Sequence, residues 1–111
     1  MKEGLFEVEL TQGAEDDLEA IHYYLAEHRS MEAAECLLDA FIQRISTPER
    51  YPERGSFPKE LEALGVREFR QILLDPYRLI YRVIGSKVVI FVIADGRRDM
   101  PALLERRLLG R

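Results

Sequence analysis

The run KVVIFVIA at residues 87–94 limits the possible folds more than any other stretch, because every residue from Val88 to Ala94 is apolar. A strand with one wet face alternates polar and apolar side chains, whereas an unbroken apolar run belongs to a strand buried on both faces. Helices must then cover one side of its sheet, and another layer of chain must cover the other.

Two further strand-like runs precede it, VREFRQILL (66–74) and YRLIYRVI (77–84), parted from each other by Asp75-Pro76 and from the third run by Gly85-Ser86. A two-residue connection with glycine in its first central position is a hairpin turn, so the last two strands pair antiparallel. At the start of the chain LFEVEL (5–10) alternates as a short strand does, with Leu5 breaking the register.

The period then changes. Ala14, Leu18, Ile21 and Leu25 recur at helical spacing, with Glu15, Asp16 and Asp17 in the first turn where the helix dipole favours anions. This predicts a helix of about four turns. After His28-Arg29-Ser30 a second helix presents Ala34, Leu37, Leu38, Phe41, Ile42 and Ile45 on one face, and so short a connection makes a helical hairpin. Beside that face Ala33, Cys36 and Ala40 form a stripe of small residues, expected to pack on the first helix. Residues 46–65, with Pro48, Pro52, Pro58 and two glycines, read as a loop holding one helical turn at 59–64. Asp99 caps a last helix that has Pro101 in its first turn, Leu103, Leu104 and Leu108 on its apolar side, and Gly110 beyond. The order β-α-α-β-β-β-α predicts an α+β fold, with the N-terminal helical hairpin packed on one face of a mainly antiparallel sheet. At 111 residues this is one domain, 1–111.

Composition narrows the chemistry. Cys36 is the sole cysteine and only His22 and His28 accompany it, so no internal disulfide can form and neither a metal site nor a cofactor is expected. No apolar run nears the roughly 18 residues of a membrane span, and the acidic N-terminus is unlike a signal peptide, so a cytoplasmic protein with no membrane partner is expected. Residues 1–49 hold 3 basic and 12 acidic side chains, net −9, while residues 50–111 hold 13 and 8, net +5. Any anion-binding surface belongs to the second half.

Strand alternation puts Arg78, Ile80, Arg82 and Ile84 on one face and Tyr77, Leu79, Tyr81 and Val83 on the other. If the strands pair in sequence order, Arg70 and Arg98 converge on Arg78, and arginine forks grip phosphate or carboxylate oxygens in pairs. The alternative for each arginine is an apolar stem laid over the sheet, or an ion pair with Glu68, Asp75 or Asp95. Of the adjacent pair in IADGRRDM, Arg98 is the candidate site residue, and Arg97 reads as solvated. His22 reads as a packing residue, His28 as a dipole partner at a helix end and Cys36 as a small core residue. Tyr23, Tyr24, Tyr51, Tyr77 and Tyr81 follow no stacking pattern and are expected to pack. The acidic first half is a solvated helix surface or a receiver for a basic segment.

The segment PYRLIYRVIGSKVVIFVIADGRRDM (76–100) resembles the C-terminal sheet of the RelE/ParE superfamily of type II toxins, also described as plasmid stabilisation proteins, and AEDDLEAIHYYLAE resembles that family's first helix. The resemblance implies a toxin that arrests growth and is neutralised by a cognate antitoxin, an amphipathic helix or acidic segment laid over the hairpin and sheet. RelE-like members cleave messenger RNA on the ribosome, whereas ParE-like members poison DNA gyrase. Arg78 and Arg98 fall where the ribonuclease branch keeps functional arginines. Leu104 stands where that branch has a tyrosine, and Arg70 alone stands for its lysine pair. The wording Gly-Arg-Arg-Asp is closer to the ParE branch. The expectation is therefore a non-enzymatic gyrase poison whose target- or anion-binding residues are Arg78, Arg82, Arg97 and Arg98. The second reading is an endoribonuclease in which Arg78 and Arg98 hold the scissile phosphate and Arg70 offsets developing charge. A third is a non-toxic remnant that binds antitoxin alone. A homodimer is a further expectation.

Overall fold

The computed structural model describes residues 7–50, 56–74 and 76–110. The expectations for Leu5, Tyr51, Pro52 and Asp75, and for the side chains of Leu38, Ile42 and Ile45, lie outside the described residues. The elements run β1 (Glu7–Leu10), α1 (Gln12–His28), α2 (Met31–Arg50), α3 (Lys59–Glu62), β2 (Arg70–Leu74), β3 (Tyr77–Ile84), β4 (Lys87–Asp95) and α4 (Met100–Leu108). The strands form one sheet in the order β1-β4-β3-β2, with β1 parallel to β4 and the other neighbours antiparallel. The all-apolar run thus lies inside the sheet as β4.

Both faces of that sheet are covered. Leu79, Tyr81, Val88, Ile90 and Ile93 pack with Ala14 of α1 and Phe41 of α2, and Ile80, Val92 and Ala94 pack with Leu61 of α3 and Met100, Leu103 and Leu104 of α4. Alternation in β3 is as expected. In β4 it is reset by a bulge: Ile80 pairs with Val92 and Tyr81 with Ile90, leaving Phe91 extra, so that Ile90 and Ile93 both face the hairpin although they stand three positions apart. At the tight turn between β3 and β4, Gly85 takes φ +61°, which the hairpin requires and glycine alone adopts freely.

The helix ends are set locally. Thr11 Oγ1 accepts from the Ala14 N–H, Ser30 Oγ from Ala33 N–H, and Asp99 Oδ1 from Ala102 N–H. β1 stops at Leu10, opposite Ile90, and Thr11 N–H donates to the Ile90 carbonyl before the chain turns into α1. The C-terminal half of β4 therefore runs on past the end of its parallel neighbour, with one backbone edge that no strand among the described residues covers.

Three expectations are corrected. The second helix does not end before Ser46 but continues to Arg50, because Pro48 falls in its last turn, where the missing N–H costs one bond and need not end the helix. The strand expected from Val66 begins at Arg70, because Gly65 N–H and Val66 N–H are spent on the Glu62 and Leu61 carbonyls closing α3. Cys36 is exposed, not core. It lies two positions, about 200° of helix, from buried Ala34.

Candidate functional site

An open groove of about 1170 Å³ lies between the end of the α1–α2 hairpin and the C-terminal end of β4. Its floor is apolar, from Ile21 and Leu25 of α1, Leu37 of α2, and Tyr77, Ile93 and Ala94 of the sheet. Its polar lining comprises Arg29 and His28 from the hairpin, Arg97 and Arg98 from the turn after β4, and the carboxylates of Asp17 and Asp95. Ala33 and Cys36 of α2 also line it.

The turn that carries Arg97 and Arg98 is held by Asp95. The Arg97 fork donates to both oxygens of Asp95, Nε to Oδ1 at 2.9 Å and Nη2 to Oδ2 at 2.6 Å, and the Arg97 N–H donates to Oδ1. That pairing lowers the Asp95 carboxyl to about 2. Arg97, 79% exposed, is thus solvated as expected yet paired. Arg98 N–H donates to the Asp95 carbonyl, and no carboxylate lies within ion-pair distance of its guanidinium among the described residues. Gly96 is needed beneath it: a Cβ there would lie 3.0 Å from Arg78 Cδ and 3.3 Å from the Pro76 carbonyl oxygen. Burial, with the Asp95 charge adding to it, pushes the Tyr77 phenol up, so it remains a neutral donor. His28 stacks on Tyr24 at 4.1 Å between centroids, and its Nδ1 lies 2.9 Å from the Tyr24 carbonyl oxygen.

The structure separates the other candidate arginines from this groove. Arg78 points to the α3–α4 side, where its fork donates to both oxygens of Glu60 at 2.8 Å and its Nε and Nη2 to Gln71 Oε1 at 2.9 and 2.6 Å. Both charges are only 12% exposed, and Arg78 holds the Glu60 carboxyl below its ordinary range. Strands β2, β3 and β4 do pair in sequence order, but Arg70 sits opposite Tyr81 while Gln71 sits opposite Ile80, so Arg70 begins on the other face from Arg78. Its guanidinium lies 4.5 Å from the centroid of Phe57, and Arg82 lies 6.0 Å over Phe69. Arg70, Arg78 and Arg98 therefore form no single cluster. Leu104 is fully buried in the α4 core.

Sequence reasoning missed one ionic constellation altogether. Arg107 donates to Asp17 Oδ1 and Oδ2 and to the Phe91 carbonyl, all at 3.0 Å, and Asp17 Oδ2 also accepts from Ile93 N–H at 3.0 Å. The pair fills the backbone edge of β4 that β1 leaves uncovered, joining α1, α4 and the sheet. A signal was present. Asp17 follows Ala14 by three and precedes Ile21 by four, and Arg107 follows Leu103 by four, so each sits on the apolar stripe of its helix, where a lone charge needs a partner.

The same α+β arrangement occurs in a solved chain of the "Chromosomal ParDE TA system from P. aeruginosa", with a TM-score of 0.67 at 19% identity, covering 83% of this chain and 97% of that one. No curated protein sequence matches. The family model for the ParE toxin of the type II toxin-antitoxin system, parDE, matches residues 8–100, and the chain belongs to that family, the ParE branch of the superfamily. Among the described residues no helix is long and apolar enough to cross a membrane.

Proposed function

We propose that this ParE-family toxin acts without catalysing a reaction, by binding and poisoning DNA gyrase in the cytoplasm, and that a cognate antitoxin neutralises it. Membership of the ParE family supports the toxin and its antitoxin partner. One observation favours poisoning over RNA cleavage. Arg78 spends its fork on Glu60 and Gln71 inside the fold, so the arginine expected to hold a scissile phosphate has its donors engaged elsewhere. Leu104, at the remaining ribonuclease position, is buried and carries no transferable proton. The target contacts in this reading are Arg97 and Arg98 at the groove and Arg82 on the sheet, while Arg78 is engaged with Glu60 and Gln71.

Induction of the chain alone should arrest growth with DNA-damage signalling, and the purified protein should inhibit gyrase supercoiling. Arrest with normal supercoiling and new 5′ ends within transcripts would overturn the proposal in favour of ribosome-dependent messenger cleavage. Normal growth at high expression would leave only the antitoxin-binding remnant.

A further inference from the structure

We infer that Asp95 is a positioning residue for the toxin's action: it holds Arg97 as the brace of the turn after β4 and leaves Arg98 as the cation that turn presents to the target. The inference rests on the reading that this turn meets the target, and it narrows the two arginine contacts there to one. The backbone on both sides of Arg98 is tied down. Upstream, Asp95 Oδ1 accepts from the Arg97 N–H at 2.9 Å and the Asp95 carbonyl from the Arg98 N–H at 3.1 Å. The Gly96 N–H donates to the Pro76 carbonyl at 2.7 Å, which beds the turn on the start of β3. Downstream, Asp99 Oδ1 accepts from the Ala102 N–H, and Met100, 2% exposed, packs into the core with Leu61 and Val92. A side chain on so fixed a backbone loses less freedom when it makes a contact than one on a loose loop.

The two arginines stand differently toward a partner. Arg97 closes its fork on Asp95, Nε to Oδ1 at 2.9 Å and Nη2 to Oδ2 at 2.6 Å. To grip a target it would have to release both bonds and leave Asp95, 27% exposed, without them. Arg98 is exposed, and among the described residues no carboxylate lies within ion-pair distance of its guanidinium. Asp95 is near enough for the Arg98 charge to act on it, and the Arg97 fork is what occupies its oxygens. Without Arg97, that carboxylate would compete with the target for Arg98. Arg97 therefore matters to the target without touching it.

This predicts an unusual order among variants. Potency is read as the inducer dose that arrests growth and as the concentration of purified protein that halves gyrase supercoiling. Arg98→Met should lose about tenfold or more, and Arg97→Met about three- to tenfold. Adding Asp95→Asn to Arg97→Met should bring potency back to within about twofold of the parent, because asparagine still accepts the residue 97 N–H and no longer attracts Arg98. Adding Arg97→Met to Arg98→Met should cause no further loss. Arg97 and Arg98 are exposed, so urea midpoints of their variants should stay close to the parent's. An Arg98→Met without effect, additive losses in the arginine double variant, or an Asp95→Asn, Arg97→Met double no better than Arg97→Met alone overturns the inference. Growth arrest with normal supercoiling refutes gyrase as the target, while the order of the variants in arrest still decides the role of Asp95. A parent that neither arrests growth nor inhibits supercoiling overturns both.

Discussion

Removing Arg107 should unfasten the C-terminal helix from the rest of the molecule. The side chain makes three hydrogen bonds, two to Asp17 and one to the Phe91 carbonyl, at 23% exposure against 16% for its partner. Arg107→Met keeps an apolar stem of similar length but leaves Asp17 charged with a single donor, Ile93 N–H, and leaves the Phe91 carbonyl without its donor. Breaking a fully buried pair from one side costs about 3–5 kcal/mol. With both groups partly wet, about 2–3 kcal/mol is expected here. At a urea slope of about 1.5–2 kcal/mol per molar, the midpoint should fall by about 1–2 M. Little of this loss should disappear in 1 M salt, because a sheltered pair is screened far less than an exposed one.

A second substitution tests the reason given. A Cβ on Gly13 would lie 2.6 Å from Arg107 Nη2, an atom anchored by the bonds just described. Glycine to alanine near a helix start is ordinarily neutral or stabilising by up to about 1 kcal/mol. In the parent protein Gly13→Ala should instead destabilise by about 1–2 kcal/mol, since Arg107 must leave Asp17 to admit the methyl. In the Arg107→Met background the same change should become neutral or stabilising. Equilibrium urea unfolding of the four proteins gives the coupling directly. If Arg107→Met costs less than about 0.5 kcal/mol, or if Gly13→Ala has the same sign in both backgrounds, the pair is no more than a surface salt bridge and the reasoning fails.

Three other outcomes follow from the geometry. Glu60, held by Arg78 below its ordinary value of 4.5, contributes stability that is present above that pH and is lost as pH falls through the lowered folded value; Glu60→Gln should flatten this acid limb in a pH series of unfolding free energies, and an unchanged limb would refute the assignment. Gly96→Ala should cost about 1–2 kcal/mol by thermal or urea unfolding, because the Arg78 stem it would meet is fixed by Glu60 and Gln71 and cannot swing away, whereas a cost near zero would mean that the turn relaxes freely. Asp99→Ala removes the cap on the Ala102 N–H and should cost about 1 kcal/mol, with Asp99→Asn restoring most of it.

Local periodicity was enough for the antiparallel pairing of the last two strands, the helical hairpin and the cap on α4, because each is decided by residues within a few positions of one another, whereas the place of β1 beside β4 is set by residues about 80 positions apart. The all-apolar β4, the Gly85-Ser86 turn and the alternation of β3 each carry their structural reason in the chain itself. The misread boundaries, at Arg50 and Arg70, are places where two local rules compete, proline against a long helix and a helix cap against a strand pattern. The site was harder to read for a different reason. Which arginines are sequestered depends on partners 18 residues away for Arg78 and 90 away for Arg107, which no spacing rule reaches.

Those two pairs also explain why the arginine-rich half of the chain does not form one cationic site. A guanidinium carried into an interior must bring its anion with it, since an unpaired charge there costs several kcal/mol. Arg78 reaches from β3 under α3, and Arg107 reaches from α4 to the edge of β4, and they are matched by Glu60 and Asp17. Arg98 lies at a turn where water solvates it, so no such requirement applies, and with Arg29 it remains available to an outside anion. The reading that Arg70, Arg78 and Arg98 act together assumed that strand order alone decides convergence. Register decides as well: one position of offset sends Arg70 to the opposite face, and the bond to Gln71 shows which side Arg78 has taken. Arg29, Arg97 and Arg98 thus stand together at the hairpin end, where the groove has its apolar floor.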